Sequence, residues 1–224
     1  MIVIVASSSI STVNALTTLT SPNPQADGYF GFSVALSGGV AVVGAPHETV
    51  GGNSNAGRAY VFNAKTGALT QTLVSPNSQA GGYFGYSVAL SGGVAVVGAI
   101  GETVGGFASA GRAYVFNAKT GALTQTLVSP NSQADGAFGR SVALNGGVLV
   151  VGASEETVGG NSAAGRAYVF NVKTGALTKT LVSSNSQSDG YFGWSVALSS
   201  GVVVVGASEE TIGGNSAAGR VYVF

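Results

Sequence analysis

One periodicity governs this sequence. The stretch Asp27-Gly28-Tyr29-Phe30-Gly31, running on through Val34-Ala35-Leu36 to Val43-Gly44-Ala45, returns three more times as near-copies. Gly28, Gly82, Gly136 and Gly190 are each 54 residues apart (82 − 28, 136 − 82, 190 − 136), and Arg58, Arg112, Arg166 and Arg220 keep the same interval. A self-similar period of this length marks a solenoid, a propeller or a related array. A unit of 54 residues is marginal as an independent core, so each unit has to be covered by its neighbours.

Within each unit four short runs carry strand chemistry, with β-branched and aromatic residues alternating in period two. Run A, Phe30 to Leu36, sets Phe30, Phe32, Val34 and Leu36 against Gly31, Ser33 and Ala35. Run B, Val40 to Ala45, is apolar on both faces, as a strand buried on both sides requires. Run C, Arg58 to Phe62, alternates Tyr60 and Phe62 against Ala59 and Val61. Run D, Leu69 to Val74, alternates Leu69 and Leu73 against Thr70 and Thr72, the pattern of a half-exposed outer strand. The A–B and C–D connectors, Ser37-Gly38-Gly39 and Asn63 to Gly67, are of hairpin size, with Gly supplying positive φ. The B–C and D–A connectors, Pro46 to Gly57 and Ser75 to Tyr83, are longer. An up-and-down sheet gathers both long connectors at one end.

Radially stacked four-stranded antiparallel sheets make a β-propeller, and no helical period or capping box competes. The expected fold is therefore all-β, a propeller of four repeats covering 15–224, with residues 1–14 as an N-terminal extension. The blades are expected at 28–74, 82–128, 136–182 and 190–224, the last completed by 15–20. The chain reads D, then A-B-C-D three times, then A-B-C. A ring of four blades closes if residues 15–20 pair with the final strand at 221–224, which protects edges that an open array exposes. A second accounting takes Ile2 to Ala6 as a worn C strand, and two copies then close an eight-bladed ring. The monomer is the favoured state and the homodimer its alternative.

Composition removes several classes of function. Apolar residues make up 45% and charged residues 8%, with 36 glycines and no collagen period, which excludes disorder and a triple helix. Nine basic and nine acidic residues cancel, and no basic run offers itself to nucleic acid or an anionic membrane. The absence of cysteine removes disulfides and thiolate metal sites without fixing the compartment. No run reaches the roughly 18–20 apolar residues of a membrane span. Met1 to Ala6 followed by a Ser/Thr-rich run is a weak signal peptide, because it lacks a positive n-region.

Phe30-Gly31, then Val43-Gly44-Ala45-Pro46, then Gly57-Arg58-Ala59-Tyr60-Val61-Phe62 resembles the FG-GAP repeat of integrin α-subunit propellers and bacterial surface proteins. The resemblance covers 15–224 in four registered copies. Phe84-Gly85, Phe138-Gly139 and Phe192-Gly193 keep its first half, while Gly-Ala-Pro survives only at Gly44-Ala45-Pro46. It implies a non-enzymatic binding or adhesion module, extracellular or at the cell surface, with a protein or glycan ligand; the alternative is a structural or scaffold repeat array with no ligand, natural or made by repeat amplification, able to assemble into a larger ring. Complete propellers of the family commonly have seven blades, and only four repeats stand here. Many members carry an Asp-rich calcium loop between strands A and B. That position here holds Ser37-Gly38-Gly39, Ser91-Gly92-Gly93, Asn145-Gly146-Gly147 and Ser199-Ser200-Gly201, without a carboxylate. Calcium takes 6–8 oxygens, so no metal and no cofactor is expected.

The candidate ligand-face residues are His47, Glu48, Phe107, Glu102, Glu156, Glu210, Tyr29, Tyr83, Tyr191 and Trp194. His47 is the sole histidine, so a histidine-based triad has only this residue to build on, and an exposed loop position is the plainer reading. Glu48, Glu102, Glu156 and Glu210 recur with the period, as do the arginines of strand C. They form either a ring of carboxylates that gathers a cation or basic ligand, or one Glu–Arg brace per unit. Asp27, Asp135 and Asp189 precede the opening Gly and read as turn residues. The positions where repeats disagree are Phe32, Tyr86, Arg140 and Trp194 in strand A, Tyr29, Tyr83, Ala137 and Tyr191 at its entrance, and Asn53 and Phe107 in the B–C loop. Aromatics there either bind a ligand or fill gaps between blades.

Overall fold

The computed structural model describes residues 17–224, in which every regular element is a β-strand. The first sheet has the order β1 (Ser33–Ser37), β2 (Val40–Ala45), β3 (Arg58–Asn63), β4 (Leu69–Leu73). The second repeats it with β5 (Phe84–Ser91), β6 (Val94–Ala99), β7 (Arg112–Asn117) and β8 (Leu123–Leu127). The third does so with β9 (Phe138–Asn145), β10 (Val148–Ala153), β11 (Arg166–Asn171) and β12 (Leu177–Leu181). The fourth has three strands, β13 (Phe192–Ser199), β14 (Val202–Ala207) and β15 (Arg220–Val223). All pairings are antiparallel, as up-and-down connection by short turns demands.

The cores lie between sheets. Val42, Ala59 and Val61 of the first sheet are buried with Phe84, Val97 and Tyr114 of the second. The same arrangement joins the second to the third and the third to the fourth. Strand B is buried on both faces in β6 and β10, which are central in their sheets and have a sheet on either side. The short turns sit at one end, where the Ala64 N–H donates to the Gly39 carbonyl at 2.8 Å. The long connectors sit at the other, where the Gly81 N–H donates to the Ser54 carbonyl at 2.9 Å.

Strand A departs from simple alternation. Phe84 pairs with Ala99 and Ser87 with Gly98, so Gly85 and Tyr86 form a bulge. Gly85 has φ +93, and a Cβ there would stand 2.3 Å from the Arg58 carbonyl oxygen of the preceding sheet. The bulge re-aims the chain: Phe84, Phe138 and Phe192 are fully buried, while Trp194, two residues on, is 40% exposed. Phe30 and Phe32, expected on one face, also differ: Phe30 is half-buried against Tyr60 and Phe62, and Phe32 is 49% exposed.

Adjacent sheets meet along their inner strands, β1 on β5, β5 on β9 and β9 on β13, and no comparable contact joins the fourth sheet to the first. Of the expected closing strand, 15–16 lies outside the described residues, as do the N-terminal extension and Ile2 to Ala6. Residues 17–20 carry no strand, and among the described residues β15 pairs with β14 alone. Leu19 packs on Val43, Ala45, Tyr60 and Phe62 of the first sheet. Ser21 reaches Glu48 just as Ser75, following β4, reaches Glu102 of the second sheet. The opening segment thus lies on the first sheet as the end of each D strand lies on the sheet that follows it.

Candidate functional site

At the long-connector end each unit builds a buried polar cluster around one carboxylate. The Arg58 Nη1 donates to Glu48 Oε2 at 3.0 Å, the Tyr60 hydroxyl to the same oxygen at 2.5 Å, and the Ser21 hydroxyl to Oε1 at 2.7 Å. Arg58 also donates to the Thr49 carbonyl at 2.9 Å. The pattern recurs with Arg112, Tyr114 and Ser75 around Glu102, and with Tyr222 and Ser183 around Glu210, where Arg220 Nε lies 3.1 Å from the carboxylate. Arg166 and Tyr168 close on Glu156 at 3.0 and 2.5 Å.

Glu48, Glu102, Glu156 and Glu210 are all fully buried. Their reading as a carboxylate ring that gathers a ligand is corrected here: each is enclosed by Arg and Tyr of its own unit and meets no solvent. A buried carboxylate is tolerable only when paired and hydrogen-bonded, and Arg, Tyr and Ser supply those partners. Burial raises the carboxyls of Glu102 and Glu156 above their ordinary 4.5, while their Ser, Tyr and Arg partners draw them back down. Burial and the Glu48 carboxylate push the Tyr60 hydroxyl up to about 12. Tyr114 and Tyr168 are raised for the same two reasons.

The exposed chemistry of this end lies where the repeats differ. Phe32, just before β1, and Tyr86, Arg140 and Trp194, in β5, β9 and β13, form a continuous stack. Phe32 and Tyr86 have ring centroids 5.0 Å apart, and the Arg140 guanidinium lies 5.4 Å from the Tyr86 centroid and 3.5 Å from that of Trp194. Tyr191 meets Trp194 edge-on at 5.7 Å, and Arg140 reaches Glu155 at 3.5 Å. Guanidinium over an indole face is an electrostatically favourable contact. At the other side, His47 stands half-buried between Tyr29 at 4.6 Å and Tyr83 at 5.1 Å, rather than free on a loop.

Between these clusters, Gly101 and Ala137 occupy the positions that hold His47 and Tyr83 one unit earlier. The lost side chains leave a shallow cavity of about 180 Å³ walled by Tyr83, Asp135 and Glu155. Phe107 stands 47% exposed at the B–C turn, where Asn53 and Asn161 instead donate to the carbonyls of Ser78 and Ser186 in the next connector. The site residues therefore divide. Tyr29, His47 and Tyr83 group together, Tyr191 joins Trp194, Phe107 stands apart, and the four glutamates lie below the surface. Arg140 and Glu155, which tie the stack together, belong to the same face. The disagreement among repeats at Phe32, Tyr86, Arg140 and Trp194 was the signal for the stack, but its continuity depends on blade spacing, which no single repeat encodes.

The fold and the recurring clusters define an all-β propeller repeat protein. The FG-GAP repeat model matches four times, over 14–62, 68–116, 122–170 and 177–224, and the chain belongs to that family. No curated protein matches the chain. Among solved structures it is similar in fold to the computationally designed Ika4 protein, with a TM-score of 0.58 and 20% identity over 93% of this chain and 96% of that one. It is also similar to the computationally designed Ika8 protein, with a TM-score of 0.53 and 18% identity over 87% of this chain and 46% of that one.

Proposed function

We propose that this FG-GAP repeat scaffold is a non-enzymatic recognition module of the extracellular or cell-surface kind, holding a protein or glycan ligand on its long-connector end. The observation that carries this reading is the stack of Phe32, Tyr86, Arg140 and Trp194. It is composed wholly of positions where otherwise near-identical repeats diverge, and its rings are partly open to solvent. Flat aromatic faces beside a guanidinium suit sugar rings and protein side chains alike. The glutamates that recur in all four repeats are engaged below this surface and are not free there for acid–base chemistry. Neither calcium nor a cofactor enters the reading, since the turns between strands A and B offer hydroxyls, amides and backbone but no carboxylate.

Glycan arrays and pull-downs with the full chain test it. A saturable ligand whose binding falls at least tenfold in Trp194→Ala and in Arg140→Ala, with the melting transition retained, supports the module. Binding of no glycan or protein, or binding indifferent to Trp194, Arg140 and Phe107, leaves a scaffold without a ligand and sinks the reading.

A further inference from the structure

The three junctions between sheets are built from the same bonds, and each can be followed along the chain in steps of 54. Ser33, Ser87 and Ser141 donate their hydroxyls to the carbonyls of Gly85, Gly139 and Gly193 at 2.7–2.8 Å. The N–H groups of Phe84, Phe138 and Phe192 donate to the carbonyls of Ala56, Ala110 and Ala164, all at 2.9 Å. Those of Tyr83, Ala137 and Tyr191 donate to Asn55, Ser109 and Ala163 at 2.9–3.1 Å. One further step along the period gives Ser195 with Gly31, Ala218 with Phe30, and Ala217 with Tyr29. These pairs are drawn from the two ends of the array, which do not meet in the chain.

Both halves of this fourth junction are present and open. Gly31 has nothing within 4 Å of the position a Cβ would take, whereas Gly85, Gly139 and Gly193 each face an arginine carbonyl at 2.2–2.4 Å. Gly206 meets only Ser195, whereas Gly44, Gly98 and Gly152 press against the next sheet's backbone at 2.0–2.1 Å. Val34 and Leu36 on β1 are each 70% exposed, and Val221 and Val223 on β15 are 67% and 68% exposed. The equivalents of Val221 and Val223 in the first unit, Ala59 and Val61, are fully buried under the second sheet. Asn215 donates within its own turn, to the Ile212 carbonyl at 3.2 Å, where Asn161 reaches the next connector.

We infer that a second copy of this chain docks head to tail on these end faces, its first sheet covering the fourth sheet of its partner through a fourth copy of the internal junction. The occupant is specified by continuity with that junction: the donors, acceptors, apolar strip and glycine clearances left open at one end are those the other end supplies. The same step places the partner's opening segment along the free edge of β15. The β3–β4 register, Ala59 with Leu73 and Tyr60 with Thr72, becomes Val221 with Leu19 and Tyr222 with Thr18. Among the described residues the first and fourth sheets of one chain share no such contact, so this junction is left for a second copy to fill.

The absence of native cysteine makes a cross-link a clean test. Leu19→Cys with Val221→Cys, oxidised and run without reductant, is expected to give a covalent species of two chains. A cross-link within one chain, or none, overturns the inference. Light scattering of the unsubstituted chain is the second measurement, expected to read at least twice the chain mass at micromolar concentration. Val221→Lys with Val223→Lys, at sites already exposed in the single chain, is expected to return that mass to one chain with the β circular dichroism unchanged. A single-chain mass for the unsubstituted protein at every concentration also overturns the inference.

Discussion

Removing the Glu102 carboxylate leaves the Arg112 guanidinium and the Ser75 and Tyr114 hydroxyls facing one another with no shared acceptor. Breaking one side of a buried pair costs about 3–5 kcal/mol, so Glu102→Ala is expected to lower the urea midpoint severely. Tyr114→Phe, which deletes one donor, is expected to cost about 1–2 kcal/mol. The pH dependence follows from protons held longer in the fold than in the unfolded chain. Glu102 and Glu156 are raised above 4.5 by burial, so their contribution is full below that value and is lost as pH rises through the folded one. Tyr60 behaves alike at alkaline pH, since its phenol ordinarily loses its proton at 10.0 and here does so at about 12. Stability is therefore expected to fall across that window, by up to about 1.4 kcal/mol per pH unit for each such phenol. Ultraviolet titration is expected to show Tyr60, Tyr114 and Tyr168 ionising late, together with loss of the β signal. Titration of Tyr60, Tyr114 or Tyr168 at 10 in the intact fold contradicts this. The cluster was half legible in the sequence. Glu and Arg recur together with the period and suggested a brace, but Ser21 and Tyr60 recur at the same interval and only the packing of a D-strand end on the next sheet makes them partners.

At the scale of the element, strands B and C follow from their apolar patterns almost residue for residue, because a strand covered on both faces has only one way to satisfy its side chains. Strand A does not, since alternation assumes an unbroken pleat and the Phe-Gly pair interrupts it with a bulge. Gly139 combines φ +94 with an Arg112 carbonyl 2.4 Å from the Cβ position. Gly139→Ala is expected to cost about 3 kcal/mol or more, strain and clash together, measured by chemical denaturation. Gly146, equally left-handed at φ +55 but with open space around it, is expected to lose only about 1 kcal/mol on the same change. Equal losses would mean that backbone conformation alone, and not the close approach of sheets, governs the strand. The A–B turns containing Gly146 and its register mates carry no carboxylate, so millimolar calcium is expected to leave the melting temperature unchanged, and a clear rise would mean that other oxygens bind it.

At the scale of the whole molecule, the main contacts between sheets of the described residues join sequence neighbours, which makes stability close to a sum of units and junctions. Position in the array then matters as much as residue type. Phe138 is fully buried between the second and third sheets, whereas Phe30, its mate at the start, is only partly covered, against Tyr60 and Phe62 of its own sheet. Truncating a buried Phe costs about 3–5 kcal/mol, and Phe138→Ala is expected to show that loss at every protein concentration. Phe30→Ala is expected to cost roughly half as much in dilute solution, where the first sheet has an open face. As concentration rises and a second copy covers that face, the cost should climb towards that of Phe138→Ala, because unfolding is then coupled to dissociation. Melting curves of the two variants over a wide concentration range read this directly. A cost for Phe30→Ala that stays low and flat would mean that the end faces remain open, leaving the array as a row of sheets whose two ends are less stable than its middle.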